Sequence, residues 1–129
     1  MSEIGFIGLG RMGKSMALNL ARKEFKLAIF DIKDDAMKPF IEFNNCRQAI
    51  NANDTIRPGA IIITVLPGPA EVEKVILAKG GILDSMPTGT VLMDMSTVLP
   101  ETTDKIAKAA KVQGCYFVDA PIGRLAQHA

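Results

Sequence analysis

A doubly wound α/β sheet is the fold class this sequence predicts, and three observations predict it. The run Phe6-Ile7-Gly8-Leu9-Gly10-Arg11-Met12-Gly13 has the glycine spacing of a turn between a buried strand and a helix that opens against a diphosphate. A second apolar run, Leu27 to Phe30, ends in Asp31. That is about 20 residues beyond the glycines, where a dinucleotide-binding βαβ unit keeps the carboxylate that takes an adenosine ribose. Further on, short β-branched runs alternate with segments of helical period, the pattern of parallel strands joined by crossover helices.

Ile4 to Ile7 supplies the first strand, and Met12, Met16 and Leu20 share one face of the helix after it. Gly8 permits the tight turn, Gly10 lets backbone approach a diphosphate, and Gly13 lets the helix lie close to the strand. The free N–H groups and the positive dipole end of that helix then face the phosphates. A glycine pattern alone is weak; its place between strand and helix gives it weight.

After Asp31 the spacing of Ala36, Met37, Phe40, Ile41 and Phe43 predicts an amphipathic helix from Asp34-Asp35, confined or kinked by Pro39. Cys46 to Ile50 reads as a short strand, Asn51 to Asp54 as a loop or helix start, and Arg57-Pro58-Gly59 as a turn. Ala60 to Leu66 is nearly all apolar, which suits a strand covered on both faces, and Pro67-Gly68-Pro69 ends it. Glu71 to Leu77 follows as a helix with Val72, Val75 and Ile76 inward. Gly80-Gly81 breaks the pattern, Ile82 to Met86 makes one turn, and Thr90 to Asp94 is the next strand, followed at once by Ser96-Thr97. Pro100 opens a helix to Gln113 with Gly114 as its stop, and Lys105, Lys108 and Lys111 form its solvated face. Tyr116 to Ala120 is the last strand, closed by Pro121; Ile122 to Ala129 has no regular pattern. In such a sheet ligands bind at the carboxyl ends of the strands. The loops Gly8–Gly13, Asp31, Leu66-Pro67, Ser96-Thr97 and Pro121–Arg124 all fall at that edge.

With 129 residues and 48% hydrophobic content the chain suits one domain with a real core. Fifteen basic residues against fourteen acidic, with no basic block, exclude nucleic acid as the expected partner. No apolar run approaches the length of a membrane span and no export leader precedes the first strand, so a soluble cytoplasmic protein that leaves membranes alone is expected. Cys46 and Cys115 match no metal or redox spacing; they are expected as free packing thiols, and no metal site is expected. Asp94 and Asp119, at strand ends, read as structural caps or cofactor-side hydrogen-bonders rather than acid/base catalysts. His128, the last position but one of an irregular stretch, is a poor candidate for catalysis.

Together Phe6 to Gly13, Leu66-Pro67-Gly68, Asp94-Met95-Ser96-Thr97 with Pro100, and Asp119-Ala120-Pro121 resemble the β-hydroxyacid dehydrogenase family, whose members share a Rossmann-type sheet. The resemblance implies that Gly8, Leu9, Gly10, Arg11, Met12 and Gly13 hold the NAD diphosphate and Asp31 the adenosine ribose. It implies Leu66-Pro67 as the wall beside the cofactor, Thr97 at the nicotinamide ribose and Ser96 at the substrate. Asp31-Ile32 stands where relatives preferring NADP carry an arginine, which favours NAD over NADP, with Lys33 as the one contrary charge. Where most members continue into Ser-Gly-Gly, this chain has Gly123-Arg124-Leu125, a pair similar to that of sulfolactaldehyde reductases. The guanidinium of Arg124 offers a planar fork for a sulfonate, phosphate or carboxylate, so Gly123 and Arg124 are expected at a small anionic substrate.

The family's general acid/base lysine, in a Gly-x-x-x-Lys-x-x-Asn-Asn pattern, is absent, so no catalytic residue is expected in these 129 residues. The resemblance therefore implies an N-terminal fragment: a dinucleotide-binding domain over residues 1–129 whose sheet is incomplete at its C-terminal end, without the helical substrate and dimerisation domain. The open edge of such a sheet favours a homo-oligomer. Two functions remain open on this reading. One is the cofactor-binding part of an enzyme moving hydride between nicotinamide and a hydroxy acid or semialdehyde; the other is a non-catalytic NAD(P)-binding module. A methyltransferase that binds S-adenosylmethionine is a weaker rival, because its glycine loop faces no diphosphate.

Overall fold

The computed structural model describes residues 2–122. Strand β1 (Ile4–Ile7), helix α1 (Arg11–Arg22) and strand β2 (Leu27–Phe30) come first, then a 3-10 segment (Asp34–Phe40), β3 (Cys46–Gln48) and a short 3-10 turn (Ala52–Thr55). The second half runs β4 (Ile61–Thr64), α2 (Pro69–Val72) continuing as a π-helical turn (Glu73–Leu77), α3 (Ile82–Ser85), β5 (Val91–Asp94), α4 (Pro100–Val112) and β6 (Tyr116–Asp119). The six strands form one parallel sheet in the order β3-β2-β1-β4-β5-β6. The chain order reverses beside β1, whose last residue Ile7 is in register with Phe30 on one side and Thr64 on the other. A crevice for a ligand belongs at that reversal.

Alternation along each strand sends side chains to two separate cores. Phe6, Leu27 and Ile29 pack with α1 and with Met37 and Phe40 of the 3-10 segment. Ile7, Ile62 and Leu92 pack on the other face with Val72, Ile76, Ile82, Leu83, Ile106 and Ala110, drawn from α2 to α4.

Met12, Met16 and Leu20 share a half-buried face of α1, and beside it Gly13, Ala17 and Ala21 are fully buried. Residues four apart stack on one face, and three small ones let the helix axis come close to the sheet, which longer side chains at the centre would prevent. The segment expected as an amphipathic helix is a 3-10 segment, Asp34–Phe40, because Pro39 lacks the N–H that would extend an α-helix. The helix expected from Glu71 starts instead at Pro69, a proline-compatible first position, and widens to π geometry before Ala78. Nor is β4 covered on both faces: Ile61 is 40% exposed, and Tyr116 and Val118 on the same face of β6 are 67% and 41% exposed. Among the described residues, only α1 and the 3-10 segment pack on that face, and they lie over β1 and β2.

The opposite end of the sheet carries a group of charges. Arg47 of β3 donates to both carboxylate oxygens of Glu3 at 3.1 and 2.9 Å, and to Asp54 at 3.2 Å. Glu3 is buried, so the bidentate pairing offsets its loss of hydration.

Candidate functional site

The turn after β1 is held by backbone space. Gly8 has φ +100°, and a Cβ there would run into the carbonyl of Val65; a Cβ at Gly13 would run into the carbonyl oxygen of Gly8. Neither site admits another residue without backbone movement. Gly10 is the opposite case: it is exposed, and a Cβ there would meet no atom within 4 Å. The open space lies at the start of α1, where the Lys14 N–H makes the first intrahelical bond to the Gly10 carbonyl at 2.7 Å. The amides of Arg11, Met12 and Gly13 therefore have no carbonyl partner within the helix. No acidic side chain occupies this first turn, and Arg11 stands there exposed. A cation at the positive end of a helix dipole is unfavourable by about 0.3–1 kcal/mol, a cost that a bound anion reverses.

Asp31 joins this turn to the end of β2. Its Oδ2 accepts the Leu9 N–H at 2.7 Å, and its Oδ1 accepts the Lys33 N–H at 2.8 Å. Phe30, one residue before, accepts the Gly8 N–H at 2.9 Å. Asp31 itself is half-buried.

A second constellation closes β4 and β5. Asp94 is fully buried, and its Oδ1 accepts from the Thr64 hydroxyl at 2.8 Å and the Ser96 N–H at 3.2 Å. The Ser96 Oγ in turn accepts the Leu66 N–H at 2.8 Å. The remaining carboxylate oxygen, Asp94 Oδ2, is buried and has no partner among the described residues. Backbone bonds stitch the same edge further: Val65 N–H to Ile7, Met95 N–H to Thr64, Ala120 N–H to Asp94 and Ile122 N–H to Met95.

The loops that the sequence singles out thus meet at one edge. Gly8, Gly10, Gly13, Arg11 and Asp31 lie on one side of the reversal; Leu66, Pro67, Ser96 and Thr97 lie on the other. Pro67 and Thr97 are exposed, Met12 and Leu66 are half-buried, and Ser96 is 2% exposed. Leu9 contributes its backbone only, since its side chain is in the core. Gly123, Arg124 and His128 lie outside the described residues. Sequence reasoning missed the Thr64–Asp94 pair, although polar residues ending two otherwise apolar strands in register were a usable signal. Among the described residues no cluster of His, Cys, Asp or Glu could hold a metal ion, and no helix is long and apolar enough to cross a membrane. Burial pushes the Cys46 thiol up, away from the reactive thiolate.

Residues 3–129 match the family model of the NAD binding domain of 6-phosphogluconate dehydrogenase. The chain is 33% identical over 129 residues to 3-sulfolactaldehyde reductase of Escherichia coli (strain K12), covering 100% of this chain and 43% of that protein. It is 40% identical over 121 residues to 2-(hydroxymethyl)glutarate dehydrogenase of Eubacterium barkeri, covering 93% of this chain and 40% of that protein. The chain therefore spans less than half the length of these relatives. Among solved structures, 3-hydroxyisobutyrate dehydrogenase of Salmonella typhimurium has the same fold, with a TM-score of 0.87 at 23% identity over 100% of this chain and 45% of that one.

Proposed function

The chain belongs to the family of the NAD binding domain of 6-phosphogluconate dehydrogenase, and we propose that it is the cofactor-binding part of an NAD-dependent oxidoreductase for a small anionic hydroxy acid or semialdehyde. The observation that carries this reading is the division of labour among three glycines: two are packed against backbone, and the one between them faces open space at a helix start. A diphosphate needs that opening, and the amides around it supply donors without a side chain in the way.

On this reading the first-turn amides and Arg11 bind the diphosphate, and Asp31, half-buried at the end of β2, accepts the hydroxyls of the adenosine ribose. A 2′-phosphate would meet that carboxylate, which disfavours NADP. Leu66-Pro67 walls the cofactor and Thr97 meets the nicotinamide ribose, with Gly123 and Arg124 gripping the substrate's anionic head; Ser96, 2% exposed with its hydroxyl on the Leu66 N–H, braces that wall instead of touching substrate. When bound, the nicotinamide supplies the hydride chemistry. Neither a lysine in the family's proton-transfer pattern nor a substitute for it is evident in the sequence, so this chain orients the reactants without moving the proton. The exposed Tyr116 and Val118 on the outermost strand favour self-association.

Calorimetric titration of NAD and NADP into these 129 residues tests the reading, with Gly10→Ala as the diagnostic variant. Its Cβ enters open space, so thermal stability changes by less than about 1 kcal/mol while NAD affinity falls about tenfold or more. Unchanged affinity in that variant, or no NAD binding by the parent chain, sinks the proposal. Turnover of small aldehydes by this chain alone would overturn the assignment of the missing proton step; NAD binding without turnover even in the full-length gene product would favour the non-catalytic module.

A further inference from the structure

We infer that Asp31 is a positioning residue for the diphosphate site as well as a ribose acceptor, so that the two ends of the adenosine-diphosphate moiety are bound through one carboxylate. The inference rests on the NAD-binding reading above and goes beyond it. Leu9 is the central residue of the turn between Gly8 and Gly10, and its N–H donates to Asp31 Oδ2 at 2.7 Å across 22 positions of sequence. The other oxygen is fixed by the Lys33 N–H at 2.8 Å, two residues along the same loop. The carboxylate is therefore held from its own side and holds the glycine turn from the other.

Among the described residues no other side chain hydrogen-bonds to that turn, which is otherwise held by packing: Gly8 and Gly13 lie against backbone and the Leu9 side chain is in the core. Gly10, the N-cap residue of α1, has no side chain to accept a first-turn amide, and no acidic residue stands in that turn. The Gly8 N–H reaches the Phe30 carbonyl at 2.9 Å, which anchors the entry to the turn but not the amides beyond it. An amide bound to a carboxylate is a strong, charge-assisted donor, and it fixes the peptide plane that leads into Gly10. Because the Leu9 N–H is committed to Asp31, it is not a phosphate ligand; that task falls to the amides from Gly10 onward. Losing Asp31 leaves the Leu9 N–H without its partner, so the peptide plane leading into Gly10 is held by packing alone and the donors at the start of α1 are less well aimed.

The consequence is a sign opposite to simple electrostatics. Removing a carboxylate near an anion site should strengthen anion binding, whereas removing a carboxylate that aims the donors should weaken it. Inorganic pyrophosphate, which has no ribose, separates the two. We expect the ligand-free chain to show a slowly exchanging Leu9 amide, and pyrophosphate to shift the amide resonances of Gly10 to Gly13. In Asp31→Ala the Leu9 amide exchanges faster and pyrophosphate affinity drops about tenfold, the scale of one lost bond to a charged group. Asp31→Asn, which keeps one acceptor oxygen, recovers part of that loss, whereas a general loss of folding would give no graded recovery. If pyrophosphate and the Leu9 amide are unaffected in both variants while NAD affinity falls, the positioning role is wrong and the ribose contact stands. If the parent chain binds neither NAD nor pyrophosphate at these amides, the NAD-binding reading itself fails and this inference falls with it.

Discussion

Asp31 and Asp94 hold comparable places, each at the carboxyl end of a parallel strand and each tying its strand to the loop of a neighbour, yet the two are built differently. Asp31 is half-exposed and spends both oxygens on backbone amides, Leu9 and Lys33. Asp94 is fully buried, uses one oxygen for the Thr64 hydroxyl and the Ser96 amide, and leaves the other without a partner among the described residues. The contrast separates two uses of a carboxylate. At Asp31 the protein satisfies the group and leaves it part-exposed; at Asp94 it encloses the group to hold β4, β5 and the loops bearing Leu66 and Ser96 together. Stability should depend on the second and ligand affinity on the first.

The severest test of that contrast is Gly8→Ala, which strikes the point where the two halves touch. Its Cβ would run into the Val65 carbonyl, at a residue whose φ of +100° already disfavours a side chain. Backbone must move on both sides of the reversal, and a loss of about 3–5 kcal/mol in urea unfolding is expected. A loss below about 1 kcal/mol, the scale of an ordinary exposed site, would mean that the two loops are not braced against each other.

Asp94→Ala comes next. It strands a buried hydroxyl and a buried amide, each costing about 1–3 kcal/mol when left unpaired, partly offset by removal of the unpartnered oxygen. We expect a net loss of about 2–4 kcal/mol, larger than that of Asp31→Ala. Thr64→Val should cost much less in the Asp94→Ala background than in the parent, because the hydroxyl then has nothing to lose; equal costs in both backgrounds would show that the pair is not coupled.

Much of this was legible in the sequence, and the boundary has a physical basis. Glycine spacing, apolar runs and proline positions act locally, so β1, the turn, α1 and β2 were readable, as was the gathering of loops at one edge. Bonds across space were not. Asp31 to Leu9 spans 22 positions, and Asp94 to Thr64 spans 30, with nothing in either neighbourhood to announce the partner. The fully buried residues of α1 went unread for a related reason. Periodicity weights large apolar residues such as Met16 and Leu20, but close approach to the sheet selects small ones such as Ala17 and Ala21. The part-buried Glu3–Arg47 pair also escaped notice, since an isolated Glu and Arg usually signify solvent.

That pair leads to a third carboxylate, whose effect is the smallest and whose character sharpens the comparison. Asp54 accepts the Ile50 N–H at 2.9 Å and faces Arg57 and Arg47, and these contacts, the Ile50 bond foremost, hold its carboxyl below the usual range. A carboxylate with a depressed folded value adds stability that is present above its unfolded value and is lost as pH falls through the folded one. Stability should therefore decline on the acid side of about pH 4, and Asp54→Asn should make that decline shallower by lowering stability at neutral pH while leaving the acid end nearly unchanged. The group is part-exposed, so salt should weaken the contribution of the two arginines but not that of the Ile50 bond. Urea midpoints measured across the acid range at low and high salt would read both effects. Superimposable acid limbs for the parent and Asp54→Asn would mean that this carboxylate, unlike Asp31 and Asp94, holds nothing the fold requires.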